Sequence, residues 1–164
     1  MRHEFKYAIA IVIAAVFVSS VALADTTVEF RKTVPLSPGA PVTVDNVNGS
    51  ITVSAWDSTY ADIFAVKQSK YNRDEIDKVS IDVTVSSGLD IRTRFDKRGL
   101  FGSSPRVNVN YTIRLPRTAN LRSVGTVNGG IVLRGTGGET SAHTTNGSIK
   151  IEGVSHIVGA NSTN

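Results

Sequence analysis

Apolar and polar residues alternate along most of the chain beyond residue 25, the period expected of half-buried strands. From Asp25 to Lys32, Val28 and Phe30 face one way while Glu29 and Arg31 face the other. Val42-Thr43-Val44 and Ile51-Thr52-Val53 are short extended pieces on either side of Asn46-Val47-Asn48-Gly49. Ala61 to Lys70 alternates with apolar groups on both faces, Ile63 and Ala65 against Phe64 and Val66. That predicts a strand covered on both sides. Val79 to Ser86 and Leu89 to Phe95 alternate around Gly88 and predict a hairpin. Val107 to Leu115 directs Val107, Val109, Tyr111, Ile113 and Leu115 inward and stops at Pro116. Only Asn72 to Lys78 reads as a helical turn; it is short and charged, and a solvated connector is expected there.

Within this pattern one phrase recurs. It reads Val47-Asn48-Gly49-Ser50-Ile51-Thr52-Val53, then Val127-Asn128-Gly129-Gly130-Ile131-Val132-Leu133, then Thr145-Asn146-Gly147-Ser148-Ile149-Lys150-Ile151. Asn128, Asn146 and Asn164 are 18 residues apart. In the same register Ile131 matches Ile149, Leu133 matches Ile151, and Gly135 matches Gly153. A fixed period with small or apolar residues at matching places predicts one coil stacked on the next. The first copy keeps two readings open, a hairpin or a corner within a coil. Its Asn48 lies 80 residues before Asn128, which is not a multiple of the period.

The expected fold is therefore all-β: antiparallel strands in the N-terminal half lead into a β-solenoid-like stack of 18-residue coils. Each coil has two strands and two corners. Asn-Gly makes one corner, since both residues tolerate positive φ, and Gly135 and Gly153 mark the other. Ile131 and Leu133 point inward from one strand; Thr140, Ala142 and Thr144 do so from the opposite one. The next coil repeats this with Ile149, Ile151, Val158, Ala160 and Ser162. Stacked asparagines would bond through their amides along a ladder.

Residues 1–24 read as a secretory signal peptide. Arg2 and Lys6 give a basic start, Tyr7 to Val18 an apolar run too short to span a bilayer, and Ala22-Leu23-Ala24 the small-x-small site. Residues 25–164 are expected as one all-β domain, exported to the periplasm, the cell envelope or the exterior, with no transmembrane segment after cleavage. The chain stops in mid-repeat at Asn164, so a fragment, or an edge covered by another chain, is expected. There is no cysteine, which excludes disulfides and thiolate chemistry. Net charge is +4, or about +3 without Arg2, Glu4 and Lys6; that favours anionic surfaces weakly and lacks the basic, aromatic-interleaved stripe of a nucleic-acid binder.

The three Asn-Gly phrases, with Trp56-Asp57, Ala142-His143-Thr144 and the leader, resemble a widespread bacterial family known as "putative adhesins". The resemblance covers most of residues 40–164. It implies an exported β-solenoid-like domain and carries over no catalytic, cofactor or metal site.

The chemistry legible in the side chains is sparse. Four Asn-x-Ser/Thr triplets, at Asn48, Asn110, Asn146 and Asn161, read as turn or strand residues before glycosylation sites. His143 and His156 do not share a register and have no acidic cluster beside them, so no metal site is expected. Asp57, Asp62, Asp74, Asp77, Asp82, Asp90 and Asp96 are scattered, and the coils carry only Glu139 and Glu152, out of register. The carboxylate pair of a glycoside hydrolase is missing. Trp56 reads as core. Arg98, Leu100 and Phe101, in a loop with Lys97, form the expected contact surface. The reading is a non-enzymatic surface-binding module without cofactors, its partner a cell-envelope protein or an anionic glycan. The alternatives are a structural or envelope-stress component and, behind it, a carbohydrate-active β-helix enzyme.

Overall fold

The computed structural model describes residues 26–71, 73–96 and 106–164; the leader and the loop residues Arg98, Leu100 and Phe101 lie outside them. The described chain runs β1 (Thr26–Pro35), β2 (Pro41–Asp45), β3 (Ile51–Trp56), β4 (Tyr60–Ser69), α1 (Arg73–Asp77), β5 (Val79–Val85), β6 (Leu89–Phe95), β7 (Val107–Pro116), β8 (Asn120–Asn128), β9 (Ile131–Arg134), β10 (Glu139–Asn146), β11 (Ile149–Glu152) and β12 (His156–Ser162). The strands form two mixed six-stranded sheets. Sheet A has the order β1-β4-β7-β3-β9-β11 and sheet B the order β12-β10-β8-β2-β6-β5.

The sheets are built in layers. β2 and β3 do not pair with each other; one lies in each sheet, and the Asn48-Gly49 phrase turns the corner between them. The hairpin reading of that first copy is thereby set aside. β8 with β9 and β10 with β11 repeat the same step. Registers between layers are parallel: Ile149 pairs with Ile131, Ile151 with Leu133, and Ala142 with Ala160. The first copy joins in directly, Ile51 pairing with Ile131 and Val53 with Leu133. The 80-residue gap arises because the intervening chain leaves and returns to the other side of this layer, where β6 and β7 pair with β2 and β3.

Those last two pairings are parallel, so the expectation of an antiparallel N-terminal half holds only for β1 with β4, β4 with β7, and β5 with β6. The physical reason is that β6 and β7 form a layer of their own beneath β2 and β3. Alternation explains the core. Val42, Val44, Leu89, Ile91, Leu121 and Val124 from sheet B are buried with Ile51, Val53, Tyr111, Ile113, Ile131 and Leu133 from sheet A. Burying side chains of this size stabilises by about 1.5–3 kcal/mol each.

At the β1–β5 end the sheets are closed by local contacts. The Lys32 ammonium donates to the Val83 carbonyl, which links edge strands β1 and β5. The α1 turn is not a solvated connector: Ile76 is fully buried, and Lys67 donates to the carbonyls of Ile76 and Val79. Burial pushes the Lys67 ammonium below its ordinary pKa. β4 is covered unequally. Ala61, Ile63 and Ala65 are fully buried, whereas Phe64 and Val66 are half-buried, because none of the described residues packs over the outer face of sheet A.

One register slips. Val158 was expected to lie inward above Thr140, but Ile157 faces Thr140 and a bulge turns Val158 out, 70% exposed. Ala160 and Ser162 recover the period opposite Ala142 and Thr144, on the exposed strand β12.

Candidate functional site

Residues of the repeated phrase meet at one corner. Asn146 Nδ2 donates to Asn128 Oδ1, and Asn128 Nδ2 donates to Asn48 Oδ1, both at 2.8 Å. Asn164 Oδ1 accepts from the Gly147 N–H at 3.4 Å. A second ladder runs inside the first. Thr126 Oγ1 donates to the Gly49 carbonyl, Thr144 Oγ1 to that of Gly129, and Ser162 Oγ to that of Gly147. Each hydroxyl thus reaches the turn carbonyl one layer away. Asn46 takes the same role at the next layer, its Nδ2 donating to the Val109 carbonyl at 2.8 Å. The Asn46 carbonyl oxygen accepts from Thr93, whose hydroxyl also meets Tyr111. Burial pushes the Tyr111 phenol up to about 12. These groups are committed to one another and make the corner structural.

Free chemistry lies on the outer face of sheet A. Strand alternation places every second residue there, and the registers align them across all six strands. One row reads Thr33, Asp62, Arg114, Ser54, Arg134, Glu152. The neighbouring row reads Arg31, Phe64, Thr112, Thr52, Val132, Lys150. Two charge clusters stand near the ends of these rows, with the hydroxyls of Ser54, Thr52 and Thr112 between them.

At the first cluster Arg31 grips Asp62 with two bonds, Nε to Oδ1 at 3.2 Å and Nη2 to Oδ2 at 2.9 Å, and Arg114 Nη2 donates to Oδ2 as well. The two arginines cover Asp62, whose side chain is 6% exposed. The hydrogen bonds from Arg31 and then Arg114 hold the Asp62 carboxyl below its ordinary range, against the opposing effect of burial. The Arg114 guanidinium lies 4.3 Å from the Trp56 ring centroid, a cation–π contact. Trp56 meets Tyr60 edge-on at 4.7 Å, and its Nε1–H donates to the Tyr60 carbonyl. Trp56 is therefore a half-buried surface residue and not core: Ile51 and Val53 face in, so Trp56 falls on the outward phase.

At the second cluster Arg134 and Lys150 both hold Glu152, at 2.8 and 2.7 Å. Lys150 first, then Arg134, keeps the Glu152 carboxyl below its ordinary range. Each carboxylate is thus shared by two cations. With Glu29 outward on β1 as well, the face retains a small positive excess.

Asp62 reads as one of several scattered acids in the sequence. The usable signal was its phase: Tyr60, Asp62 and Phe64 share one side of an apolar strand. His143 and His156 are exposed, and among the described residues no group of three or more His, Cys, Asp or Glu side chains could hold a metal.

No family model matches the chain, and no curated protein matches it. Among solved structures, a "putative cell adhesion protein" from Clostridium sporogenes is 10% identical, with a TM-score of 0.37 over 84% of this chain and 99% of that one. A "putative lipid binding protein" from Parabacteroides distasonis is 13% identical, with a TM-score of 0.42, over 75% of this chain and 51% of its own. A "putative adhesin" from Parabacteroides merdae is 7% identical, with a TM-score of 0.35, over 79% of this chain and 57% of its own.

Proposed function

We propose that the chain is an exported, non-enzymatic binding module of β-solenoid-like build, and that it holds an anionic glycan against the outer face of sheet A. The observation that carries this reading is the pair of aligned rows across six strands, with a two-cation cluster near each end and hydroxyls between. Adjacent strands lie about 4.7–4.9 Å apart, so Arg114 and Arg134, separated by β3, present cations roughly 10 Å apart. Acidic groups spaced along a polymer match such a display, and guanidinium groups suit carboxylate and sulfate oxygens. The Trp56 and Tyr60 rings give one end an apolar platform for sugar faces.

The test is a glycan array on the full chain, with acidic and neutral polysaccharides side by side. Retention of acidic glycans is expected, weakened about tenfold or more when Arg114 and Arg134 are both changed to alanine. Co-purification of one envelope protein without glycan binding would replace this reading with that of a structural or envelope-stress component. Turnover of an acidic polysaccharide, lost on changing a carboxylate, would replace it with an enzyme.

A further inference from the structure

The opposite sheet carries a different feature. Around β10 the register slips on both sides. Val42 and Thr140 both face Leu121, whereas Thr43 faces Ser123 and Ala142 faces Val124, so Arg122 is an extra residue in β8. On the other side Thr140 faces Ile157 and Ser141 faces Gly159, so Val158 is an extra residue in β12. Bulges re-aim side chains and cluster next to binding sites. Here Arg122 and Val158 line one cavity of about 430 Å³, together with Pro41, Glu139 and Ser141.

The floor of this cavity is fixed. Asn120 Nδ2 donates to the Gly39 carbonyl at 2.9 Å, and Asn120 Oδ1 accepts the Glu139 N–H at 3.0 Å. Gly159 presents no side chain: a Cβ there would stand 3.7 Å from Ser141 Oγ, over the hydroxyl. The functional groups, by contrast, are uncommitted. The side chains of Arg122, Glu139 and Ser141 have no hydrogen-bond or ion-pair partner among the described residues.

We propose that this cavity binds a small zwitterion of the α-amino acid class. The guanidinium of Arg122 takes the carboxylate, Glu139 takes the ammonium, and the Ser141 hydroxyl adds a polar contact from the same lining. A simple anion would face Glu139 and a simple cation would face Arg122; a ligand carrying both charges satisfies both groups. Among the described residues no aromatic side chain lines the cavity, which disfavours a sugar ring. Pro41 and Val158 supply apolar walls for a short side chain, and the volume lies within the range of small-molecule sites. The site is independent of the sheet A face.

The experiment titrates the ¹⁵N-labelled full chain with L-alanine, L-leucine and L-lysine, each beside its amide and its N-acetyl form, with glucose as a neutral control. Saturable amide shifts are expected at Glu139, Ser141 and Gly159 with the free amino acids. Both blocked forms should bind about tenfold more weakly or worse, since each loses one charged contact. R122Q and E139Q should each lose the response, with far-UV circular dichroism unchanged. The proposal is overturned if none of the three free amino acids gives a saturable shift, or if glucose or a blocked form matches them. A full response retained in both folded variants overturns it equally. The blocked ligands decide the matter on the unmutated protein if a variant does not fold.

Discussion

The β8–β9 and β10–β11 layers each turn two corners, and both corners use glycine, for different physical reasons. At the Asn-Gly corner the backbones of successive layers touch. A Cβ on Gly129 would stand 2.1 Å from the Gly49 carbonyl oxygen, and one on Gly147 2.0 Å from that of Gly129. Neither residue has positive φ, so the expected reason for glycine there, a left-handed turn, applies in this set only to Gly49, at 115°. At the opposite corner Gly135 and Gly153 do have positive φ, 68° and 61°. There a Cβ has room: its nearest neighbours would lie at 3.6 Å for Gly135 and 3.9 Å for Gly153. One corner needs glycine because a neighbour is too close, the other because of its own backbone angle.

The most severe break in this comparison is Gly129→Ala. The atom in the way is the Gly49 backbone oxygen, which already accepts from Thr126, so the layers must separate. A loss of ~3 kcal/mol or more is expected in chemical denaturation, at the upper end of overpacking costs. Gly135→Ala should cost about 1–2 kcal/mol, the usual strain of a left-handed alanine. Gly135→Asn should recover part of that, because asparagine tolerates this region, whereas Gly129→Asn should recover nothing. Equal losses at the two corners would mean that layer contact does not set the requirement.

Next in size are the two ladders at the Asn-Gly corner. Thr126 and Thr144 are 3% exposed and donate to glycine carbonyls, while the asparagine amides bond along an exposed edge. Thr144→Val should cost about 1–2 kcal/mol, since the part-buried Gly129 carbonyl loses its side-chain donor. Asn128→Ala removes two amide bonds that water can replace, and about 0.5–1 kcal/mol is expected. Native-state hydrogen exchange should place the difference at the Gly129 and Ile131 amides, which bridge to the next layer. A larger loss for Asn128→Ala would make the outer amide ladder the principal fastening.

These two ladders mark what the sequence shows and what it hides. The period of Asn128 and Asn146 announces the stack, because consecutive layers must repeat the same contacts at the same interval. Asn48 belongs to the same ladder, yet its interval carries no such message. The chain spends Asp57 to Ala119 building β4 to β7 on the far side of the β2–β3 layer before returning. Position in a stack is a property of pairing, and pairing between non-consecutive layers leaves no period behind. The bulge at Val158 is hidden for a related reason: it lies between Ile157 and Gly159, and only the partner strand shows which residue is extra. The face of sheet A was half legible. Alternation assigns Arg31, Asp62 and Arg114 to strand faces, but only the register brings residues from three strands to one carboxylate.

The smallest effect sharpens a second contrast, between the two carboxylates on that face. Asp62 and Glu152 are both held below their ordinary pKa by two cations, but Asp62 is buried under its arginines and Glu152 is open to water. Between the lowered native value and the ordinary value, the unfolded chain binds more protons than the folded one, so stability rises with pH in that interval. The contribution is complete above the ordinary carboxylate value, 3.8 for Asp62, and is lost as pH falls through the lower native value. Little should change near neutral pH. Denaturation midpoints measured from pH 6 down to pH 2 (on the order of the range where carboxylates titrate) should fall in acid, and Asp62→Asn should flatten that fall more than Glu152→Gln. Salt separates the two further. Exposed pairs are screened within about 10 Å at 0.1 M ionic strength, whereas a covered pair is screened much less. Added salt should therefore erase the Glu152 contribution and leave that of Asp62. An acid profile that neither substitution alters would show that both clusters are fixed by packing, with the charges incidental to stability.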